Sequence, residues 1–298
     1  MATSLPRPRS LAISARTFRR LALANALMLI VVVATGTTVR LTGSGLGCEH
    51  WPGCQPGDPL PTQGFHSVIE FSNRIIAGIT IIVTLATFLA SLLTATPAWV
   101  RWLAAATFLG TAAQAPLGAI TVYYDLNPWL VGTHFLLSLL VLTLAVLVAI
   151  EAYGLRGELV PGRIRQLGLV AAASGGALVV TGMLATAAGP HSGSVAVPRI
   201  GSFQPAIWLH VRATAVFAIS FALLVVWVVV KRSRHLPAAL IVLGLLAVQM
   251  AVGEIQYRTK LPWWLVLVHV TLSAAVWAAM TAFVALLWRP RDPSRMAQ

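Results

Sequence analysis

Charge is scarce in this chain. Only 10% of its 298 residues are Asp, Glu, Lys or Arg, where a soluble domain carries about 25%. With 58% hydrophobic residues, it has too few charged groups to cover a globule with water-compatible surface, which excludes soluble enzymes and soluble binding modules. Acidic groups are the rarer kind, 8 against 21 basic ones. In a soluble protein the net charge of +13 would point to nucleic acid. Here the charges must first be placed along the chain, because Lys and Arg collect on the cytoplasmic side of membrane proteins. Cysteine is almost missing as well: the two present, Cys48 and Cys54, sit in one Gly- and Pro-rich stretch, GSGLGCEHWPGC.

Long apolar sequence is what the chain has in quantity. Runs able to span a bilayer, about 20 residues each, fall near 20–39, 67–93, 102–122, 130–150, 167–187, 206–230, 238–256 and 263–288. The expected fold is an all-α integral membrane protein with eight transmembrane helices and both termini on one side. The loops and termini on that side hold 15 of the 21 basic residues, so the termini are expected in the cytoplasm and the cysteine loop outside. The expected location is the plasma (inner) membrane, as a multi-pass protein. The positive charge is then a topology signal, and no nucleic-acid role is assigned to it. Arg19-Arg20 before the first run invites a signal-peptide reading, but no clear small-x-small cleavage site follows, and an uncleaved first helix is expected.

The runs repeat. Gln114, Gly118, Trp129 and His134 match Gln249, Gly253, Trp264 and His269 at a constant offset of 135 with no gap, and Thr35-Gly36 resembles Thr181-Gly182 at a slightly different offset. One structural unit used twice is the reading of such a pattern. Two repeated four-helix bundles are expected, residues 1–152 and 153–298, in the same orientation and side by side.

Polar residues cluster near the outer ends of the even-numbered spans. The second opens with His66, Glu70, Asn73 and Arg74; the fourth carries His134, the sixth His210 and Arg212, the eighth His269. Each lies one or two turns inside an interface marked by Trp129, Trp208 and Trp264. A lone intramembrane His is often only an interhelical hydrogen bond, but three at one depth on alternate helices suit an iron porphyrin, which takes an axial imidazole on each face. His210 and His269 make such a pair. In the first half His134 matches His269, and the position matching His210 is Ser72 or Asn73, depending on a one-residue alignment choice. That half offers instead Glu70 with Arg74 one turn later on the same face. The plain reading of that pair is mutual neutralisation at a helix end. A half with one His and a carboxylate looks like a site for chemistry, and a half with two His like a site for electron transfer.

Placed outside, Cys48 and Cys54 are expected to form a disulfide, either a staple or an exchangeable pair. Their spacing is not the Cys-x-x-Cys-His of covalent heme attachment, and zinc held by the pair with His50 lacks further ligands. His191, in the loop from Gly189 to Pro205, is read as part of a solvated connector rather than a cap. Gly175-Gly176 and Gly182 allow close helix packing, within the chain or between chains.

These residues together resemble the heme A synthase family: eight spans in two halves, the Gly-Ser-Gly…Cys…Trp-Pro-x-Cys loop, the Ile-Glu-x-x-x-Arg start of the second helix, and single His residues on the fourth, sixth and eighth. The resemblance covers nearly the whole chain. It implies oxidation of the C8 methyl of heme O to the formyl group of heme A, by successive hydroxylations and loss of water, for cytochrome oxidase assembly. It implies that His210 and His269 hold a resident heme B as a bis-His pair, that His134 faces the substrate heme iron, that Glu70 is the required carboxylate with Arg74 supporting it, and that Cys48 and Cys54 are the family's loop pair. Heme O would come from a heme O synthase, and the electron donor or acceptor stays unidentified. One departure stands out: the family usually has Glu-x-x-His-Arg, and here the second helix reads Glu70-Phe-Ser-Asn73-Arg74, with His66 one turn earlier as a substitute ligand. Two other readings use parts of the same pattern: a b-type heme carrier exchanging electrons with quinone, and a transporter without heme.

Overall fold

The computed structural model describes residues 13–289 except 52, 59, 62, 63 and 192–196. Eight helices follow one another: α1 (Ala15–Leu41), α2 (Gly64–Leu92), α3 (Ala98–Tyr123), α4 (Pro128–Ala152), α5 (Gly162–Ala188), α6 (Phe203–Val230), α7 (Leu236–Arg258) and α8 (Trp263–Leu287). All eight are long and apolar enough to cross a membrane, and no strand occurs among the described residues. Helices are what the bilayer demands, since they satisfy each backbone group within the segment. Each expected apolar run falls on one helix, and most helices begin before their run, where polar caps and prolines start them. Ser14 accepts from Thr17 N (3.1 Å) at the start of α1, and Asn127 accepts from Trp129 N (3.0 Å) ahead of Pro128 in α4. Both supply the acceptor that a helix N-terminus lacks.

The helices close into two rings. α1 and α3 each pack on α2 and α4; α5 and α7 each pack on α6 and α8; the rings meet where α1 and α4 touch α8 and α4 touches α5. Within each ring the even-numbered helices stand on a diagonal, their backbones apart, and deeper in the second ring Phe221 of α6 meets Phe283 of α8 edge to face, with ring centroids 5.8 Å apart. The 135-residue offset reaches the backbone. The α3–α4 turn places Asp125 and Leu126 at φ 50° and 56°, and the α7–α8 turn places Lys260 and Leu261 at 64° and 61°. Leu126 N bonds Thr121 O (2.8 Å), and Leu261 N bonds Gln256 O (2.7 Å).

Two side chains tie the rings together. Trp277 of α8 donates from Nε1 to Thr143 Oγ1 (2.8 Å) and Leu139 O (3.1 Å) of α4. Arg40 at the end of α1 donates to Thr186 O of α5 (3.0 Å). At the arginine-rich end the connections are ionic. Glu151 pairs with Arg156 (3.0 Å) and Arg289, and the Arg289 guanidinium lies 4.4 Å from the Trp99 ring centroid. Glu158, in the α4–α5 loop, latches the α6–α7 loop by accepting from Ser233 Oγ and from Arg234 N (3.2 Å).

The Ser233 hydroxyl holds the Glu158 carboxyl below its usual range against the opposing effect of burial, helped by the Arg234 N–H and the nearby charges of His235 and Arg234. A carboxylate with a depressed folded pKa stabilises the fold above its unfolded pKa, about 4.3, and that contribution fades as pH falls through the folded value. Ser233→Ala should therefore lower the melting temperature at pH 7 by about 2–4 °C. The gap to the parent protein should shrink in melting curves recorded below about pH 4.

Candidate functional site

Four glycines on the odd-numbered helices prepare the site. A methyl group at Gly182 of α5 would lie 3.0 Å from His210 Cε1 of α6, and one at Gly253 of α7 would lie 3.0 Å from His269 Cε1 of α8. At Gly118 of α3 the neighbour is His134 Cε1 of α4, at 3.7 Å. At Gly36 of α1 it is Asn73 Oδ1 of α2, at 3.9 Å. Each seat is a glycine on the first helix of a hairpin and a polar group on the second. The glycine matters because a ring or amide can lie against bare backbone there.

This pattern resolves the alignment choice in α2. Asn73, not Ser72, occupies the seat that His210 occupies in the second ring, and the neighbouring threonines behave alike. Thr35 Oγ1 donates to Asn73 Oδ1 (2.7 Å), and Thr181 Oγ1 lies 3.2 Å from His210 Nδ1. Gln249 Nε2 sits 3.2 Å from His269 Nε2. His134 Nδ1 and His269 Nδ1 are both shielded from solvent with no hydrogen-bond partner among the described residues. His210 and His269 stand on the diagonal helices α6 and α8 of the second ring.

The helices around these seats are not packed shut. No residue of α6 between Phe203 and Val216, nor of α7 between Leu243 and Arg258, is buried. Deeper in the same ring, Phe217, Phe221, Leu224, Val242, Met280 and Phe283 form a closed core. The donor set fits a porphyrin: two imidazoles across a ring, with unpartnered ring nitrogen, in a region the protein leaves loosely filled. The first ring offers one imidazole, His134, and an amide, Asn73, on the diagonal helix. No group of three or more His, Cys, Asp and Glu side chains converges among the described residues.

Over the first ring sits the cysteine loop. Cys48 and Cys54 are joined as a disulfide. The loop is held down by the acid–base pair of α2: Glu70, 4% exposed, accepts from Cys48 N (2.8 Å) and pairs with Arg74 (2.5 Å), while Arg74 donates to the carbonyls of His50 (2.7 Å) and Gly53. Glu70 and Arg74 thus do more than neutralise each other. The loop glycines permit the approach: a methyl at Gly47 would meet the backbone of His66 at 2.6 Å, and one at Gly45 would meet the side chain of Leu126 at 2.7 Å. His66 is exposed and bonded to Ser44 Oγ (2.9 Å), away from the four seats. His191 bonds Leu261 O (2.9 Å), tying its connector to the α7–α8 turn.

Sequence reasoning did not foresee the loop's attachment through backbone carbonyls, which leave no trace in residue type, or Arg40 reaching α5. The seats carried a signal: the Gly and His positions share the 135-residue offset.

Two comparisons bear on this arrangement. The profile of the COX15-CtaA family, described as cytochrome oxidase assembly protein, matches residues 19–65 and 59–281. Among curated proteins, the chain is similar to the heme A synthase of Bacillus pumilus (strain SAFR-032), 33% identical over 137 residues that make up 44% of each chain. It is also similar to that of Bacillus mycoides (strain KBAB4), 34% identical over 128 residues, 42% of this chain and 41% of the relative. The chain thus aligns with less than half the length of these relatives.

Removing the Glu70 contacts should release the loop. A hydrogen bond to a charged group contributes about 1.5–3 kcal/mol, so Glu70→Ala should speed reduction of Cys48–Cys54 by a mild thiol about tenfold or more, read by thiol-specific mass tagging. Gly47→Ala, which sets a methyl against the His66 backbone, should act in the same direction without altering an ionisable group.

Proposed function

The chain belongs to the COX15-CtaA family of cytochrome oxidase assembly proteins, and on that premise we propose that it is a heme A synthase, oxidising the C8 methyl of heme O to a formyl group. The observation that carries this reading is the asymmetry of the seats: three imidazoles and one amide on four equivalent glycines, with a buried carboxylate beside the amide alone. Two imidazoles, His210 and His269, would hold a resident heme B in the second ring. When bound, that group supplies one-electron transfer.

The first ring receives the substrate. His134 presents one imidazole toward the substrate iron, and Asn73, its carbonyl engaged by Thr35, leaves its amide N–H groups for the opposite face. Asn73 is a poor iron ligand, so heme O is held from one side and product can leave. Glu70 lies one turn from Asn73, about 4.5 Å along the helix axis. Its carboxylate is aligned by Arg74 and Cys48 N and is placed to stabilise positive charge developing on the substrate as its methyl is oxidised. The cysteine loop closes the ring above it and keeps bulk water from the carboxylate. We place the termini in the cytoplasm and the loop outside a plasma membrane, on the distribution of Lys and Arg. Heme O would be delivered by a heme O synthase.

The test is pigment extracted from cells that make heme O and express this chain. Formyl porphyrin should appear, and Glu70→Ala should lower it by about 100-fold while the heme B content of the purified protein stays constant. Purified protein carrying heme B alone, with no formyl product in such cells, would move the assignment to a membrane electron carrier.

The seats make a separate prediction. Asn73→His places a second imidazole on Gly36, so the purified protein should retain close to two hemes per chain, and product should leave more slowly. Gly182→Leu or Gly253→Leu should displace His210 or His269 and lower resident heme. Gly78→Leu, at a position where an added Cβ meets nothing within 4 Å, should leave it unchanged. A pyridine hemochrome assay per mole of protein reads all four.

A further inference from the structure

The two rings are not equally closed where they meet. Between α1 and α8, at the depth of the seats, lies a groove of about 330 Å³. Ala34, Thr35 and Thr38 of α1 form one wall, and Val268, Thr271 and Leu272 of α8 form the other. Val268 is 40% exposed on the flank of the helices, so the groove opens toward lipid. It shares a wall with the first ring, because Thr35 also donates to Asn73 Oδ1 (2.7 Å) in the substrate seat. Sites that take small molecules measure about 300–1,000 Å³, and a groove at the lower end suits a chain rather than a second macrocycle.

The matching cleft of the second ring is filled. The alignment that brings Gly36 onto Gly182 and His134 onto His269 carries the α1–α8 groove onto the cleft between α5 and α4. There Met183 stands where α1 has Thr37, and Gly132 stands where α8 has Leu267. Met183 is 9% exposed, and a methyl group at Gly132 would lie 2.5 Å from its Sδ. A long, unbranched thioether thus lies on bare α4 backbone and plugs the cleft. Thr37 is too short to do the same, and its hydroxyl turns back to Val33 O (2.7 Å). Space beyond that of a porphyrin disc is open beside the substrate seat and taken up by Met183 beside the resident one.

The walls narrow the choice of occupant. Apart from three hydroxyls the groove is apolar. Thr35, Thr38 and Thr271 donate their protons to Asn73 Oδ1, Ala34 O (3.0 Å) and Leu267 O (2.8 Å). What they present to the groove is oxygen lone pairs. A quinone, with carbonyls to satisfy, finds no donor there, and a plain alkyl chain leaves the lone pairs unmet. An apolar chain bearing one hydroxyl suits both features. Heme O carries such a chain: where heme B has a vinyl group, it has a farnesyl tail with a hydroxyl on the carbon joined to the macrocycle.

We propose that the α1–α8 groove receives the farnesyl tail of heme O, with Thr35 accepting from its hydroxyl, and that this groove decides which heme each ring holds. The inference rests on the substrate reading above and adds to it the residues that recognise the substrate. Lipid chains are as apolar as the groove, so transfer from lipid contributes little to seating the tail. Shape and one hydrogen bond make the distinction. The first ring has a place for the tail, and Met183 occupies the corresponding place in the second.

The experiment is a spectroscopic titration of the full chain, loaded with resident heme B, in lipid nanodiscs of one composition. The probes are heme O and heme B, each read by the Soret change on binding at the first ring. Ala34→Phe and Leu272→Trp fill the groove from its two walls. Each should lower the affinity for heme O about tenfold and leave the affinity for heme B at that seat unchanged. Both hemes partition into the same lipid in parent and variants, so only the protein alters the ratio of the two affinities. Unchanged heme O affinity in both variants would overturn the inference and leave the substrate reading intact; a lipid chain or a quinone in the groove gives that result. An equal loss of heme O and heme B affinity would overturn it as well, because the variants then act on the seat. A parent chain that takes up no heme O would remove the substrate reading and the inference together.

Discussion

Inside a bilayer a polar side chain has one place to go, the protein interior, and nearly every feature of the site follows from that restriction. Its imidazoles, amide and carboxylate all sit on the second helix of a hairpin, and most of them are turned toward a neighbouring helix rather than lipid. Glycine makes this inward turn workable. Against a side chain at Gly182 or Gly253 the His210 and His269 rings would have to shift, and against bare backbone they lie flat between helices. The same device, used four times, gives four similar seats whose chemistry is then decided by a single residue each.

The duplicated frame carries different loads. In the second ring two imidazoles share a diagonal and the deeper interior is filled by Phe221, Phe283 and their neighbours, so whatever is held there rests on a rigid floor. The first ring replaces one imidazole by Asn73, adds Glu70 one turn away, covers the end with a disulfide loop and buries Thr80, Thr84, Thr87 and Ser91 along α2. Permanence suits an electron carrier; a one-sided grip, a fixed charge and a polar interior suit a molecule that arrives, reacts and departs.

Much of this was legible in the residues. The eight helices follow from apolar run length, and the seats from the recurrence of Gly118–His134 as Gly253–His269, because a constant offset survives wherever packing has to be reproduced. The match between α2 and α6 was ambiguous by one residue, since Ser72 and Asn73 are both small and polar; only the contact with Gly36 and Thr35 separates them. The loop's attachment was hidden because Arg74 binds carbonyl oxygens, and every residue has one.

The contacts of α7 have a bearing on how such a protein is loaded. Its outer half buries nothing, and α6 and α7 touch only slightly, so this flank surrenders less contact than any other when two helices part. A rigid disc as wide as a porphyrin, entering edge first from the lipid, then has to part few contacts. The side of the second ring, between α6 and α7, is where such a disc meets the least packed protein.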